Sequence, residues 1–343
     1  QSPQTSRMYD SKPNHSYSKT FLLQTGGSMY DVFVFDGGLK LSKHSRSFLK
    51  IQDGCSQFCS FCIVPFARGL NRSIPPQVVL QSLRDLGSQG VDEVVLTGIH
   101  LGTYGKDLNP RTSFFDLLRL INFERPVKRV RLSSIDPEEI SPDLIALLAG
   151  SDFFCPHLHL PLQSGDNAIL KKMRRHYTGE YFIDLCQKIL EKRSDFCLGT
   201  DVIVGFPTET EKAFKRTVQV LKDSGLSYLH VFPYSERLGT KAALFSYPVS
   251  LEEKKVRSRY LRQVSEKLRK QFYQKFIGFT RPAILENRRR GLTALTDNYI
   301  SVEIKDLDQY VVGSLVNVTI EGLTGPIAYG RIVENQSHSA FYI

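Results

Sequence analysis

The stretch FLKIQDGCSQFCSFC, residues 48–62, decides how the rest of the chain is read. Within it Leu49-Lys50-Ile51-Gln52 alternates apolar and polar residues, the period of a half-buried strand, and Gly54 marks a turn out of that strand. Cys55, Cys59 and Cys62 then follow on one loop as C-x3-C-x2-C. Three thiolates so placed can each hold one iron of a four-iron four-sulfur cube and leave the fourth iron open to a small molecule. Structural zinc is the competing reading; it ordinarily draws on paired cysteine knuckles with a fourth ligand, and no second knuckle is present. Cys155, Cys186 and Cys197 stand apart and read as small buried apolar residues.

Outward from this loop, strand-like runs alternate with helical patterns as far as Tyr234. The strands are expected at 48–52, 92–98, 127–134, 157–162, 198–206 and 228–234, and the helices at 75–89, 114–123, 137–149, 179–193 and 209–224. Asp136 before Pro137 reads as an N-cap, and Thr208 with Glu211 as a capping box. The fold class is α/β, a partial (βα)6 TIM-like barrel, since the region is shorter than the ~250 residues of eight units, and chemistry is expected at the C-terminal ends of its strands. YDVFVF (30–35) reads as one more strand. Residues 251–276 read as a long helix whose apolar face carries Val256, Tyr260, Val264, Leu268, Phe272 and Phe276. After Gly278, short alternating strands separated by turn residues predict a small antiparallel β-barrel. The domains are thus a lead-in over 1–45, an α/β core over 46–277 and a β-barrel module over 278–343.

The 343 residues carry 41% hydrophobic and 23% charged side chains, so disordered, collagenous and disulfide-scaffold classes are excluded. There is no apolar run of ~18 residues and no secretory leader pattern, which predicts a cytoplasmic protein with no membrane span. Forty-five Lys and Arg against 35 Asp and Glu favour a polyanionic partner, with nucleic acid foremost. Between Lys254 and Lys275 lie nine basic residues and one acid, Glu266. Arg257 and Lys270 on that helix, together with Arg281, the Arg288, Arg289 and Arg290 hairpin tip and Lys305, are the candidate phosphate contacts. Tyr299 is a candidate for stacking on an unpaired base or for the barrel core. Asp201, a lone acid in an apolar strand, needs a partner such as Arg174, Arg175 or a cofactor.

The cysteine loop and the strings VVLTGIHLGTYG (94–105), RLSSIDP (131–137), HLPLQSGDNAILKKMRRHYT (159–178), GTDVIVGFPTET (199–210) and YSERLGTKA (234–242) resemble the radical S-adenosylmethionine (SAM) methylthiotransferases, over residues 46–340. Residues 280–337 resemble the RNA-binding TRAM module of these enzymes. The resemblance implies that Cys55, Cys59 and Cys62 ligate a [4Fe–4S] cluster whose open iron binds SAM. It further implies that Thr97, Gly98, Ser133, Gln163, Ser164, Arg174 and Asp201 line the SAM site, with Ser134 and His159 nearby. The IHLG string (99–102) is most similar to the branch that methylthiolates threonylcarbamoyladenosine beside the anticodon of tRNA, and the isopentenyladenosine branch is next. Implied partners are the tRNA anticodon stem-loop and an external electron donor.

The family also carries an N-terminal domain with three cysteines for a second [4Fe–4S] cluster, and no cysteine precedes Cys55. With Gln1 in first place, the expectation is a chain cut from a longer protein, able to cleave SAM but not to complete sulfur insertion.

Overall fold

The computed structural model describes residues 45–288, 291–304 and 310–333, together with the backbone of three two-residue strands, β1 (Gln24–Thr25), β2 (Ser28–Met29) and β3 (Val34–Phe35). Only Val34–Phe35 of the expected 30–35 strand lies among the described residues, where β3 pairs antiparallel with β4.

Six parallel strands form the core: β4 (Ser47–Asp53), β6 (Glu93–Gly98), β7 (Arg129–Leu132), β8 (His157–His159), β9 (Cys197–Val204) and β10 (Tyr228–Pro233). They pair in sequence order, with single parallel bridges Val130 to Phe154 and Ser134 to His159 joining β7 to β8. The hairpin partner β5 (Arg72–Ser73) lies antiparallel on β4. Leu49, Ile51, Leu96, Val130, Leu158 and Leu198 are almost wholly buried along these strands, each worth about 1.5–3 kcal/mol of transfer free energy.

The helices are α1 (Val64–Arg68), α2 (Pro76–Ser88), α3 (Phe114–Glu124), α4 (Pro142–Gly150), α5 (Asn167–Met173), α6 (Gly179–Lys192), α7 (Glu211–Asp223) and α8 (Leu251–Gln274). Two expected helix starts are corrected. The 137–149 helix is split, because Pro142 forces a restart with Ser141 as its N-cap, and Asp136 makes no cap bond. The N-cap of α7 is Thr210, whose side chain accepts from Ala213 N, whereas Thr208 sits at φ 74° and accepts from Lys172. No helix among the described residues is long and apolar enough to cross a membrane.

The buried face of α8 matches the expected stripe in its C-terminal part only. A four-residue repeat drifts ~40° per step against a 3.6-residue turn, so Val256 and Tyr260 are exposed, whereas Val264 and Leu268 pack against the core, Phe272 and Phe276 are buried, and Leu261 and Ser265 join the buried face. Beyond α8, strands β11 (Thr280–Arg288), β12 (Gly291–Thr296), β13 (Ser301–Ile304), β14 (Leu315–Thr324) and β15 (Ile327–Val333) close a barrel. Its pairs are antiparallel as expected, except β13 with β15, which run parallel.

This small barrel seals the N-terminal ends of the core strands. Glu93, wholly buried at the start of β6, accepts from Arg129 Nε at 2.6 Å and Arg131 Nε at 2.9 Å. The same two guanidinium groups donate to the carbonyls of Pro282, Leu295, Thr296 and Asp297 in the small barrel. Tyr299 stacks on His157 at 4.0 Å and lies under Arg131. It is part of the closure and is not placed to receive an unpaired base. The seal leaves the opposite end, at the strand C-termini, for the site.

Candidate functional site

The loop that follows β4 is anchored by Gln52, which is 1% exposed. Its Nε2 donates to the carbonyls of Asp53 and Gly54 at 3.0 and 2.8 Å, and its Oε1 accepts from His100 N at 2.8 Å beyond the end of β6. Gly54 has φ +70°, and a Cβ there would lie 2.0 Å from Leu70 O, so the loop closes on its return segment only with glycine. Ser60 N donates to Met173 O and Ala242 N to Ser60 O, tying the loop to α5 and to the segment beyond β10.

All three loop cysteines are free and half-buried. Burial pushes the Cys59 thiol up to about 11; Arg175 opposes the rise, and Asp136, Cys62 and Cys55 add to it. Burial also raises Cys62, against the Val64 N–H. Burial acts the same way on Cys55, but hydrogen bonds from His100 and the Gln57 N–H outweigh it and lower its pKa. Cys55 and Cys62 each oppose ionisation of Cys59.

In the metal-free protein at neutral pH, iodoacetamide is therefore expected to alkylate Cys55 well before Cys59, since the thiolate is the nucleophile. Peptide mapping by mass spectrometry checks this, and equal labelling rates would contradict it.

The other expected site residues divide. Thr97 and Gly98 end β6 beside β4, with Gly98 in register with Gln52. Ser133, at the end of β7, has a buried hydroxyl with no hydrogen-bond partner, an orphaned donor facing the strand C-termini that fits a polar ligand. Gln163 is held at φ 66° by its bridge to Val202, a strained conformation of the kind that collects at ligand sites. Asp201 pairs with neither Arg174 nor Arg175. Its Oδ1 accepts from His159 Nε2 at 2.9 Å and His230 Nδ1 at 3.2 Å, because the parallel register sets His230 directly beside it. Ser164 is 1% exposed and turned to Thr217 on α7, away from the site. Arg174 donates to Phe58 O and clasps the cysteine loop. Arg175 is buried on Asp136 at 2.6 Å and also reaches Gln57.

One group escaped the sequence reading. His100 is 8% exposed, with Nδ1 3.6 Å from Cys55 Sγ and Nε2 3.2 Å from Asp136 Oδ2 and 3.0 Å from Glu139 Oε2. Burial disfavours its charge, but Asp136, Cys55 and Glu139 outweigh this and push its pKa up to about 12. Cys55 lies 45 positions before His100, and the two carboxylates come from a third segment, at residues 136 and 139, so no local pattern announces the group.

Of the expected phosphate contacts, Arg257 is corrected: it is 5% exposed, clamped 2.7 Å from Glu209 beneath α8. Arg281 is likewise held, by Asp195 and Asp297. Lys270 is exposed, as are Lys255, Arg259, Arg262 and Lys267. The Arg288 side chain, Arg289, Arg290 and Lys305 lie outside the described residues.

A partial parallel barrel with a cysteine loop on its first core strand defines the class: residues 49–221 match the Radical SAM superfamily. The chain is 39% identical over 301 residues to the threonylcarbamoyladenosine tRNA methylthiotransferase MtaB of Bacillus subtilis, covering 85% of this chain and 66% of that protein. It is 33% identical to the protein of the same name from Chlamydia pneumoniae, covering 90% and 73%. To the tRNA-2-methylthio-N(6)-dimethylallyladenosine synthase of Acetivibrio thermocellus it is 36% identical, covering 84% and 61%. The chain belongs to the radical SAM methylthiotransferase family. It spans about two thirds of the length of these relatives.

Proposed function

We propose that this chain supplies the SAM-cleaving core of a tRNA methylthiotransferase, with Cys55, Cys59 and Cys62 as the protein ligands of its [4Fe–4S] cluster. The observation that carries the reading is three free, half-buried thiols on one loop at the strand C-termini, with the unpartnered Ser133 hydroxyl at the same end of the sheet. When bound, the cluster supplies the electron for reductive cleavage of SAM, the source of a 5′-deoxyadenosyl radical. The protein's part is to hold and shield the reactants. Gln52 and Arg174 fix the loop, Ser133 and Gln163 offer hydrogen bonds to the cofactor's polar groups, and Asp201, kept anionic between two imidazoles, accepts from a ribose hydroxyl. The lowered pKa of Asp201 follows from those imidazoles outweighing its burial. Closure of the barrel bottom by Tyr299 and its neighbours keeps water from entering at that end.

For the substrate we propose the adenosine bearing an N6-threonylcarbamoyl group beside the anticodon, methylthiolated at C2, in a cytoplasmic tRNA. The exposed basic residues of α8, Lys270 among them, contact its phosphates. Two of the relatives above bear the threonylcarbamoyl name, and the third, with the dimethylallyl name, sets the second reading.

Anaerobic reconstitution with iron and sulfide, followed by reductant and SAM, tests the core assignment. About four irons per chain and formation of 5′-deoxyadenosine are expected; a colourless protein binding one zinc would overturn it. Mass spectrometry of tRNA nucleosides from a deletion strain tests the substrate. Loss of the methylthio group from threonylcarbamoyladenosine supports the first reading, and loss only from isopentenyladenosine the second.

A further inference from the structure

We propose that His100 is a positioning residue that donates a hydrogen bond from Nδ1 to the Cys55 sulfur and so raises the reduction potential of the cluster at that loop. The inference rests on the reading that Cys55, Cys59 and Cys62 hold an iron–sulfur cluster.

The ring has little freedom to do anything else. Its backbone N–H is spent on Gln52 Oε1, and its carbonyl accepts from Thr103 Oγ1 at 2.8 Å, so the turn that carries it is pinned on both sides. Nε2 sits within ion-pair distance of Asp136 and Glu139. Asp136 is held in turn by both terminal nitrogens of Arg175, at 2.6 and 3.2 Å. Glu139 reaches the ring only because residue 102 is glycine: a Cβ there would lie 1.8 Å from Glu139 Oε2. A cluster-bound thiolate can only accept, so the ring nitrogen that faces Cys55 Sγ at 3.6 Å serves it as an N–H donor.

The three cysteines are not treated alike. Cys55 Sγ faces His100 at 3.6 Å and the Gln57 N–H at 3.5 Å. Cys62 meets the Val64 N–H, and Cys59 faces the Arg175 charge. Reduction adds negative charge to the cluster and its sulfurs. A donor aimed at one sulfur therefore stabilises the reduced state more than the oxidised one, and hydrogen bonds to cluster sulfurs are an established lever on potential.

The test is an electron-paramagnetic-resonance-monitored redox titration of the full reconstituted chain. His100→Leu, close in volume but without a donor, is expected to retain about four irons per chain and to be reduced at a distinctly more negative potential. His100→Asn, which restores an N–H near the position of Nδ1, is expected to return the potential toward that of the wild type. A Leu variant that keeps its irons and titrates at the wild-type potential overturns the proposal, as does an Asn variant indistinguishable from Leu. Should the Leu variant fail to hold its irons, His100→Gln, whose amide extends toward the place of Nε2 and offers no N–H at that of Nδ1, provides the second readout. It is expected to titrate at a more negative potential than the wild type, and no movement overturns the role of His100. A wild-type chain that takes up no cluster overturns the cysteine assignment itself, and this inference with it.

Discussion

Replacing Glu93 with glutamine is expected to lower folding stability by about 3–5 kcal/mol, the usual cost of removing one partner from a buried ion pair. Glu93 is wholly buried between Arg129 and Arg131, which are themselves 4% and 2% exposed. The amide keeps the shape but removes the charge that both guanidinium groups need, and its NH2 faces them as a like donor. Both arginines also hold the carbonyls of residues 282 and 295–297, so the loss falls on the seal between the two barrels. Denaturant unfolding measures the effect, and a change below about 1 kcal/mol would contradict it. Burial raises the pKa of Glu93, but Arg131 and Arg129 outweigh burial and bring it down to about 2. A carboxylate depressed in the folded state contributes stability that is complete above its unfolded pKa and is lost as pH falls toward the folded value. Wild type and Glu93→Gln should therefore differ fully at pH 7 and converge as pH drops from about 4 toward 2.

The barrel was legible because its strands are short apolar runs with fixed spacing, and their positions depend mainly on burial. What misled was partnership. Arg257 and Arg281 belong to a basic segment, which reads as a surface for phosphates, and Tyr299 reads equally as a base-stacking or a core residue. In the folded chain Glu209, Asp195 and His157 claim them, and these lie 48, 86 and 142 residues away along the sequence. Asp201 needed a cationic or donor partner, as its setting in an apolar strand required. The parallel register supplied His230, and the end of the neighbouring strand supplied His159, where the nearby arginines had been the expectation. The cysteine loop is contiguous, so its position at a strand end could be read directly. The group around His100 is assembled from the ends of separate strands, and no window of sequence contains it.

Cys59→Ala is expected to leave the reconstituted protein without its cluster and to reduce 5′-deoxyadenosine formation to background. Two thiolates remain on the loop, and the described residues place no fourth cysteine beside them: Cys155, Cys186 and Cys197 are buried elsewhere. The effect should be one of ligation and not of folding, because the loop is held without this sulfur. Gln52 fixes its root, Ser60 is bonded to Met173 and Ala242, and Arg174 grips the carbonyl of Phe58. The metal-free variant should therefore unfold at the same midpoint as the metal-free parent. Cys155→Ala is the matched control. That thiol lies at the sealed end, 4.0 Å from Glu93 Oε2, so its removal should leave iron content and SAM cleavage intact, with only the small stability loss of a truncated core residue. Iron analysis, the visible absorption of the reconstituted protein and chromatography of the nucleoside product read out both variants. Retention of about four irons by Cys59→Ala, or loss of cleavage in Cys155→Ala with the fold intact, would show that the loop does not carry the chemistry assigned to it.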